Sequence, residues 1–265
     1  MENKTTKIIG KVLSHIAWNI IPILCFLMIL ELATVFTRIG HLMPGPIKVF
    51  LSLLNSFVKP LGPYTLQVHA LFSLKRIMVG YGTAVVTGII FGVSIGLSKL
   101  FRAIFRPIFE LIRPIPTVAW IPISILWFGI DEMSKYFIVF YGAFANVALS
   151  VYLGIQRVDP VLAGAAKMLG CSDRQVTFKV VIPSTIPYIF SGMQVALSAG
   201  IMSVVVAEMI NSYEGIGWNI QAGQQNANMT QVLTGMVALA LLGLLMAAIL
   251  RQIEKKLCKW NERSG

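Results

Sequence analysis

Charge is what this sequence has least of. Of its 265 residues only 12% are Asp, Glu, Lys or Arg, where a soluble domain carries about 25%. A chain so poor in charge is not built to keep a globule in water. Histidine and cysteine are scarce too, three of each. His15, His41 and His69 are solitary, and neither H-E-x-x-H nor any other paired ligand spacing occurs, which excludes the common zinc hydrolases. Cys25, Cys171 and Cys258 stand far apart, fit no metal spacing and are read as reduced bystanders. The G-x-x-x-x-G-K-[ST] loop that cradles nucleotide phosphates is missing. "ALSAG" at 196–200 has the length of a serine nucleophile turn, but Ala196 replaces its leading glycine and no histidine is placed to activate the serine. The chain is read as a non-enzyme that binds no metal or cofactor of its own.

What is plentiful is apolar. Hydrophobic residues make up 56% of the chain and mean hydropathy is +0.77. An apolar run of about 20 residues crosses a bilayer as a helix, and the pattern predicts an all-α polytopic membrane protein with six spans, roughly 17–37, 77–97, 107–128, 135–155, 185–210 and 231–250. The opening "MENKTTKIIGKVLSHIAWNIIP" is basic and then apolar. With no A-x-A-like site after it, it reads as a retained span rather than a cleaved signal. Residues 1–16 are then a cytoplasmic N-terminal segment, 17–250 the transmembrane domain and 251–265 a basic cytoplasmic tail. The net charge of +11 would suggest nucleic acid in a soluble protein. Here it follows sidedness, because Lys and Arg collect on the cytoplasmic side of spans. With the N-terminus inside, 15 Lys and Arg fall inside and 6 outside, five of those six in the long 38–76 connection. Both termini are therefore expected inside, and no nucleic-acid partner is expected. Asn228-Met229-Thr230 matches a glycosylation acceptor, a pattern common by chance.

Two spans carry packing information. Gly80, Ala84, Gly88, Gly92 and Gly96 recur every four residues in the second, making a groove where another helix can approach closely, within the subunit or across a dimer seam. Pro107, Pro114, Pro116 and Pro122 interrupt the third. Each removes a backbone donor, and such helices persist where neighbours or water satisfy the freed carbonyls. A bent helix beside a pathway and a merely kinked structural helix both fit. Few ionisable groups lie within the spans: Glu31, Glu110, Arg113 and Glu208. Glu110 and Arg113, three apart, can pair on one face, or Arg113 can face a pathway and attract an anion. Glu208, expected near the outer end of the fifth span, marks a gate or a water boundary. Glu31 has no account from sequence.

The connection between spans four and five, about 156–184, is neither short nor plain. In "VDPVLAGAAKMLGCSDRQVTFKVVIPSTIP" Asp159 can cap a helix that has Pro160 at its first position. Val161, Leu162, Ala165, Ala166 and Leu169 recur at helical spacing, and Gly170 is placed to end that helix. Ser172 with Gln175 forms a capping-box pattern for a second short helix, expected to run to Pro183. Gly164, Ala165 and Ala166 give a smooth patch among basic Lys167, Arg174 and Lys179. Such a pair suits docking by another protein, or lying on a lipid surface.

Ala165, Ala166, Gly170, Val180, Ile182 and Pro183 are spaced as in the "EAA" loop of binding-protein-dependent ABC importer permeases, with Gly164 at the place of the usual Glu. "RPIPTVAWIPISILWFGIDEMSKYFIV" (113–139), "AEMINSYEGIGWNIQAG" (207–223) and the tail "RQIEKKLCKW" (251–260) extend the likeness over most of residues 75–260. The chain resembles the nitrate/sulfonate/taurine subgroup of that family. The resemblance implies a type I importer permease of the bacterial plasma (inner) membrane, translocating a small anion such as a sulfonate, taurine or nitrate. It implies as partners two cytoplasmic ATP-binding subunits, which hold the ATP and Mg, an extracytoplasmic substrate-binding protein and a second copy of the permease. Contact with the ATPase would fall on Gly164, Ala165, Ala166, Lys167, Leu169, Gly170, Cys171, Ser172, Arg174 and Pro183. Arg113, Pro116, Trp120 and Glu208 become pathway candidates. A secondary carrier or channel working without an ATPase is the alternative. It would need an ion-coupling site, often within an inverted repeat, and no convincing repeat relates the two halves. A membrane scaffold with no transport role is a third reading, weakly opposed by the proline-broken span.

Overall fold

The computed structural model describes residues 4–37, 40 and 43–258, with side chains from residue 21 onward, Trp18 in addition and Asn211 excepted. Arg38, His41, Lys259 and Arg263 lie outside the described residues, as does the tail beyond Cys258. Helices run as α1 Lys4–Phe36, α2 Pro46–Asn55, α3 Leu66–Leu97, α4 Lys99–Ile112, a 3-10 turn Thr117–Trp120, α5 Ile121–Phe128 and α6 Glu132–Gln156. They continue as α7 Pro160–Met168, α8 Asp173–Val176, a π turn Thr177–Val181, α9 Ile182–Asn211, α10 Ile216–Gln225 and α11 Met229–Leu257. Among the described residues there is no strand, only an isolated bridge between Leu61 and Tyr64.

Among the described residues four helices are long and apolar enough to cross a membrane, and a fifth span results if the bent pair α4 and α5 is counted as one. These answer to five of the six expected spans. The first, 17–37, falls on α1 but for its last residue, and the piece Ile21–Phe36 is a shorter apolar helix. The second begins eleven residues earlier than expected, at Leu66, so Lys75 and Arg76 belong to a span and not to an outer loop.

The trunk is α3 on α6 on α9. α3 has no dominant apolar stripe. Its contact face is set by small residues, as expected where lipid removes the hydrophobic drive between helices. A Cβ added at Gly80 would lie 2.6 Å from Val139 Cβ, at Gly88 2.9 Å from Val147 Cβ, and at Gly92 2.6 Å from the Ala148 carbonyl oxygen. Ile155 takes the same place opposite Gly96. The four-residue repeat is therefore consumed inside the subunit by α6. Ala84, Ala143, Val147, Val151 and Ala196 form the dry core of that contact.

Glu31 also gains an account. Its carboxylate accepts from the Ile47 backbone N–H at 3.0 Å. Pro46 opens α2 and brings no donor of its own, so a negative group there satisfies an orphan N–H at the positive end of the helix dipole.

Candidate functional site: the two-helix loop and the broken span

Beyond α6 the chain forms the expected helix pair. The Asp159 side chain accepts from Val161 N at 2.8 Å, and Pro160 follows as the first helical residue. α7 ends at Met168, and Gly170 turns the chain with φ +86°, a conformation that costs a residue bearing a Cβ about 1–2 kcal/mol. The capping box is complete: Gln175 N donates to Ser172 Oγ, and Ser172 N donates to Gln175 Oε1 at 2.8 Å. Lys167 reaches across the turn to Asp173 at 2.7 Å. The pair is exposed, so its contribution is small, but it brackets Gly170. At the tip Met168 is 92% and Leu169 86% exposed, two large apolar side chains with nothing from this chain over them. Gly164 is open, with no atom within 4 Å of an added Cβ. Val176 is buried, and α8 packs on α7 and the π turn.

One boundary differs from expectation. The second short helix does not stop at Pro183. It continues through the π turn into α9, so that Asp173–Ile210 is one apolar stretch of 38 residues. Pro183 has no N–H to give the carbonyl four residues back. The helix widens at that point, and Ile182 N donates to Thr177 O, five residues back.

The third expected span, 107–128, is not one bent helix over those residues. α4 and α5 meet at 96°. Pro114 and Pro116 leave carbonyls without helical donors, and the Tyr141 hydroxyl answers by lying 2.8 Å from Ile112 O and 3.2 Å from Ile115 O. Tyr141 is the tenth of the 25 residues of α6, counted from Glu132, which places the break partway along a spanning helix. Glu110 pairs with Arg106 at 2.7 Å, not with Arg113. α4 ends at Ile112, and Arg113 caps it at the break, its N–H still donating to Phe109 O. Arg113 and Pro116 are exposed, and Trp120, in the 3-10 turn, is half-buried.

Glu208 is fully buried. It belongs to a cluster centred on Arg76, also fully buried. All five guanidinium donor positions are used. Nη1 donates to Glu208 Oε1 and to Glu214 O, both at 2.8 Å, and Nε and Nη2 hold both Glu132 oxygens at 2.9 and 2.6 Å. The fifth bond is Nη2 to Glu214 Oε1 at 3.2 Å. Ser73 Oγ and Gly217 N donate to Glu208, and Gly215 N donates to His69 Nδ1. Lys135 pairs with Glu132 at 2.7 Å. α3, α6, α9 and the turn before α10 are thus fastened at one end. The sequence pointed to Glu208 but not to Arg76, because the partners lie 56 to 138 residues apart. No group of three or more potential metal ligands occurs among the described residues.

A solved methionine ABC transporter in an inward-facing conformation shares this fold, with a TM-score of 0.58 and 22% identity over 70% of this chain and 92% of that one. The model for the binding-protein-dependent transport system inner membrane component matches residues 84–259, and the chain belongs to that family. Two relatives make the likeness concrete. The taurine transport system permease protein TauC of Escherichia coli is 36% identical over 197 residues, 74% of this chain and 72% of its own. The nitrate import permease protein NrtB of Leptolyngbya laminosa is 31% identical over 177 residues, 67% of this chain and 63% of its own. The chain is accordingly a membrane permease subunit of ABC importer type, and its family works with ATPase and binding-protein partners.

Proposed function

We propose that this chain forms the translocation path for a small anion such as a sulfonate, taurine or nitrate, delivered by an extracytoplasmic binding protein. Two copies line the path, and two cytoplasmic ATP-binding subunits holding ATP and Mg each grip one loop 156–184. Both termini face the cytoplasm of a bacterial cell. The observation that carries the reading is the rigid two-helix loop with Met168 and Leu169 bare at its tip. Large apolar side chains thrust out on a capped, turn-locked pair fit a protein groove better than water. The departure at Gly164 shifts docking here toward shape: Ala165 and Ala166 leave the flank low, and Lys167 is engaged with Asp173.

α8 runs without a break into α9, so a pull on the loop by closing ATPases reaches α9 directly. The joint most able to yield is the π turn Thr177–Val181. α9 then moves against α6, and the path lined by Arg113, Pro116 and Trp120 opens to alternate sides, the two-state element that coupling requires. Glu208, held by Arg76, acts as a fixed point of that motion.

The experiment is uptake into vesicles bearing the complete transporter. Gly170→Asp and Ala165→Glu are expected to abolish ATP-driven uptake while the chain remains inserted. Normal ATP-dependent uptake in both variants would remove the loop from the mechanism.

A further inference from the structure

The broken span borders an open cavity, and Arg113 and Trp120 of the proposed path stand in its wall. It measures about 380 Å³ and lies between α3, α4, α5 and α6, within the range of small-molecule sites. Its walls are rings: Phe91, Phe105, Trp120, Trp127 and Tyr141 among them. Trp120 and Tyr141 have centroids 4.8 Å apart, and Trp120 and Trp127 6.4 Å. One cation, Arg113, stands in the wall. It makes no hydrogen bond or ion pair through its side chain among the described residues, unlike Arg76, Arg102 and Arg106. Trp120 Nε1 is buried beside the Tyr141 hydroxyl, and no acceptor meets it in good hydrogen-bond geometry. An uncommitted Arg beside a break partway along a span does not face lipid, where a charge costs at least about 2.5–3.5 kcal/mol at mid-depth. It faces a water-filled path or a ligand.

We infer that this cavity is a solute site within the membrane subunit itself, taking an organic anion with an aromatic or unsaturated body, the acid group on Arg113 and the body among the rings. The inference rests on the permease reading above and narrows it. Inorganic anions would gain only the Arg113 contact, and neutral ring compounds only the walls. Stacking and edge contacts to the rings add about 0.5–1.5 kcal/mol each beyond the area they bury. The Trp120 N–H, beside the Tyr141 hydroxyl, supplies a second donor to the acid group.

The test uses the full chain in lipid nanodiscs, titrated calorimetrically with benzenesulfonate, with the neutral isostere benzenesulfonamide and with nitrate. Benzenesulfonate is expected to bind at least about tenfold more tightly than either, the loss of one charge-assisted contact. Arg113→Gln should weaken benzenesulfonate about tenfold, and Arg113→Lys should restore most of that, which separates lost charge from lost fold. Phe105→Ala should weaken it without changing the preference for the anion. Three results would overturn the site. One is no benzenesulfonate binding at millimolar concentration, as when a second copy fills the cavity. Another is equal binding of sulfonate and sulfonamide, the mark of a lipid seat. The third is an Arg113→Gln variant that binds as the wild type does. Loss of ATP-driven uptake by the wild-type transporter bears on the permease mechanism instead and leaves these titrations untouched.

Discussion

Arg76 illustrates how much one residue in this protein depends on the rest of the chain. A buried guanidinium is costly, and it is stable here because every donor position is met by an acceptor. Removing one partner leaves the other charge buried and alone, worth about 3–5 kcal/mol. Arg76→Met is therefore expected to lower the thermal midpoint of the purified protein sharply, and Glu208→Gln to lower it less, since Glu132 and Glu214 remain. The double variant should lose less than the sum of the two; strict additivity in the melting experiment would show that the pair does not interact. Gly164 lies at the opposite extreme. An added Cβ meets nothing, and a Gly inside a helix costs roughly 0.5–1 kcal/mol relative to Ala. Gly164→Ala should raise the midpoint slightly and leave transport intact.

At the scale of elements, α3 and α6 meet through glycine, and that contact can be closed or left alone by choice of position. Gly92→Val puts bulk against the Ala148 carbonyl and Val151 and should destabilise by about 1–3 kcal/mol through overpacking. Gly82→Ala, on a face with nothing within 4 Å, should be neutral or mildly stabilising; equal loss in both variants, measured by thermal unfolding, would contradict the assigned helix face. This element was legible beforehand because its signal is local: small residues four apart. So were the caps at Asp159 and Ser172 and the turn at Gly170, whose causes lie within three residues. The bend at the third span was legible only in part. Four prolines state which donors are missing, but neither the 96° angle nor the Tyr141 hydroxyl that meets the break from another helix can be read from them. The pairing of Glu110 failed for a related reason. Spacing allowed both Arg106 and Arg113, and the contact that forms is the one with Arg106. The continuity of α8 with α9 was hidden because a π turn absorbs the missing donor of Pro183, which sequence rules read as a stop.

For the whole molecule the decisive question is what moves it. The trunk is fastened at one end by the Arg76 cluster and carries the bare two-helix loop at the other end of α6 and α9. A body held at one end and loaded at the other is a lever, and the load is proposed to come from an ATP-hydrolysing partner. The direct measurement is purification of the tagged full-length chain from its native membrane, with co-purifying chains identified by mass spectrometry. A partner containing G-x-x-x-x-G-K-[ST] should accompany the wild type in comparable amount and be depleted when Ala165→Glu or Leu169→Glu is introduced, with the permease itself still inserted. Absence of such a partner from the wild type, or its undiminished recovery with both variants, would contradict the account.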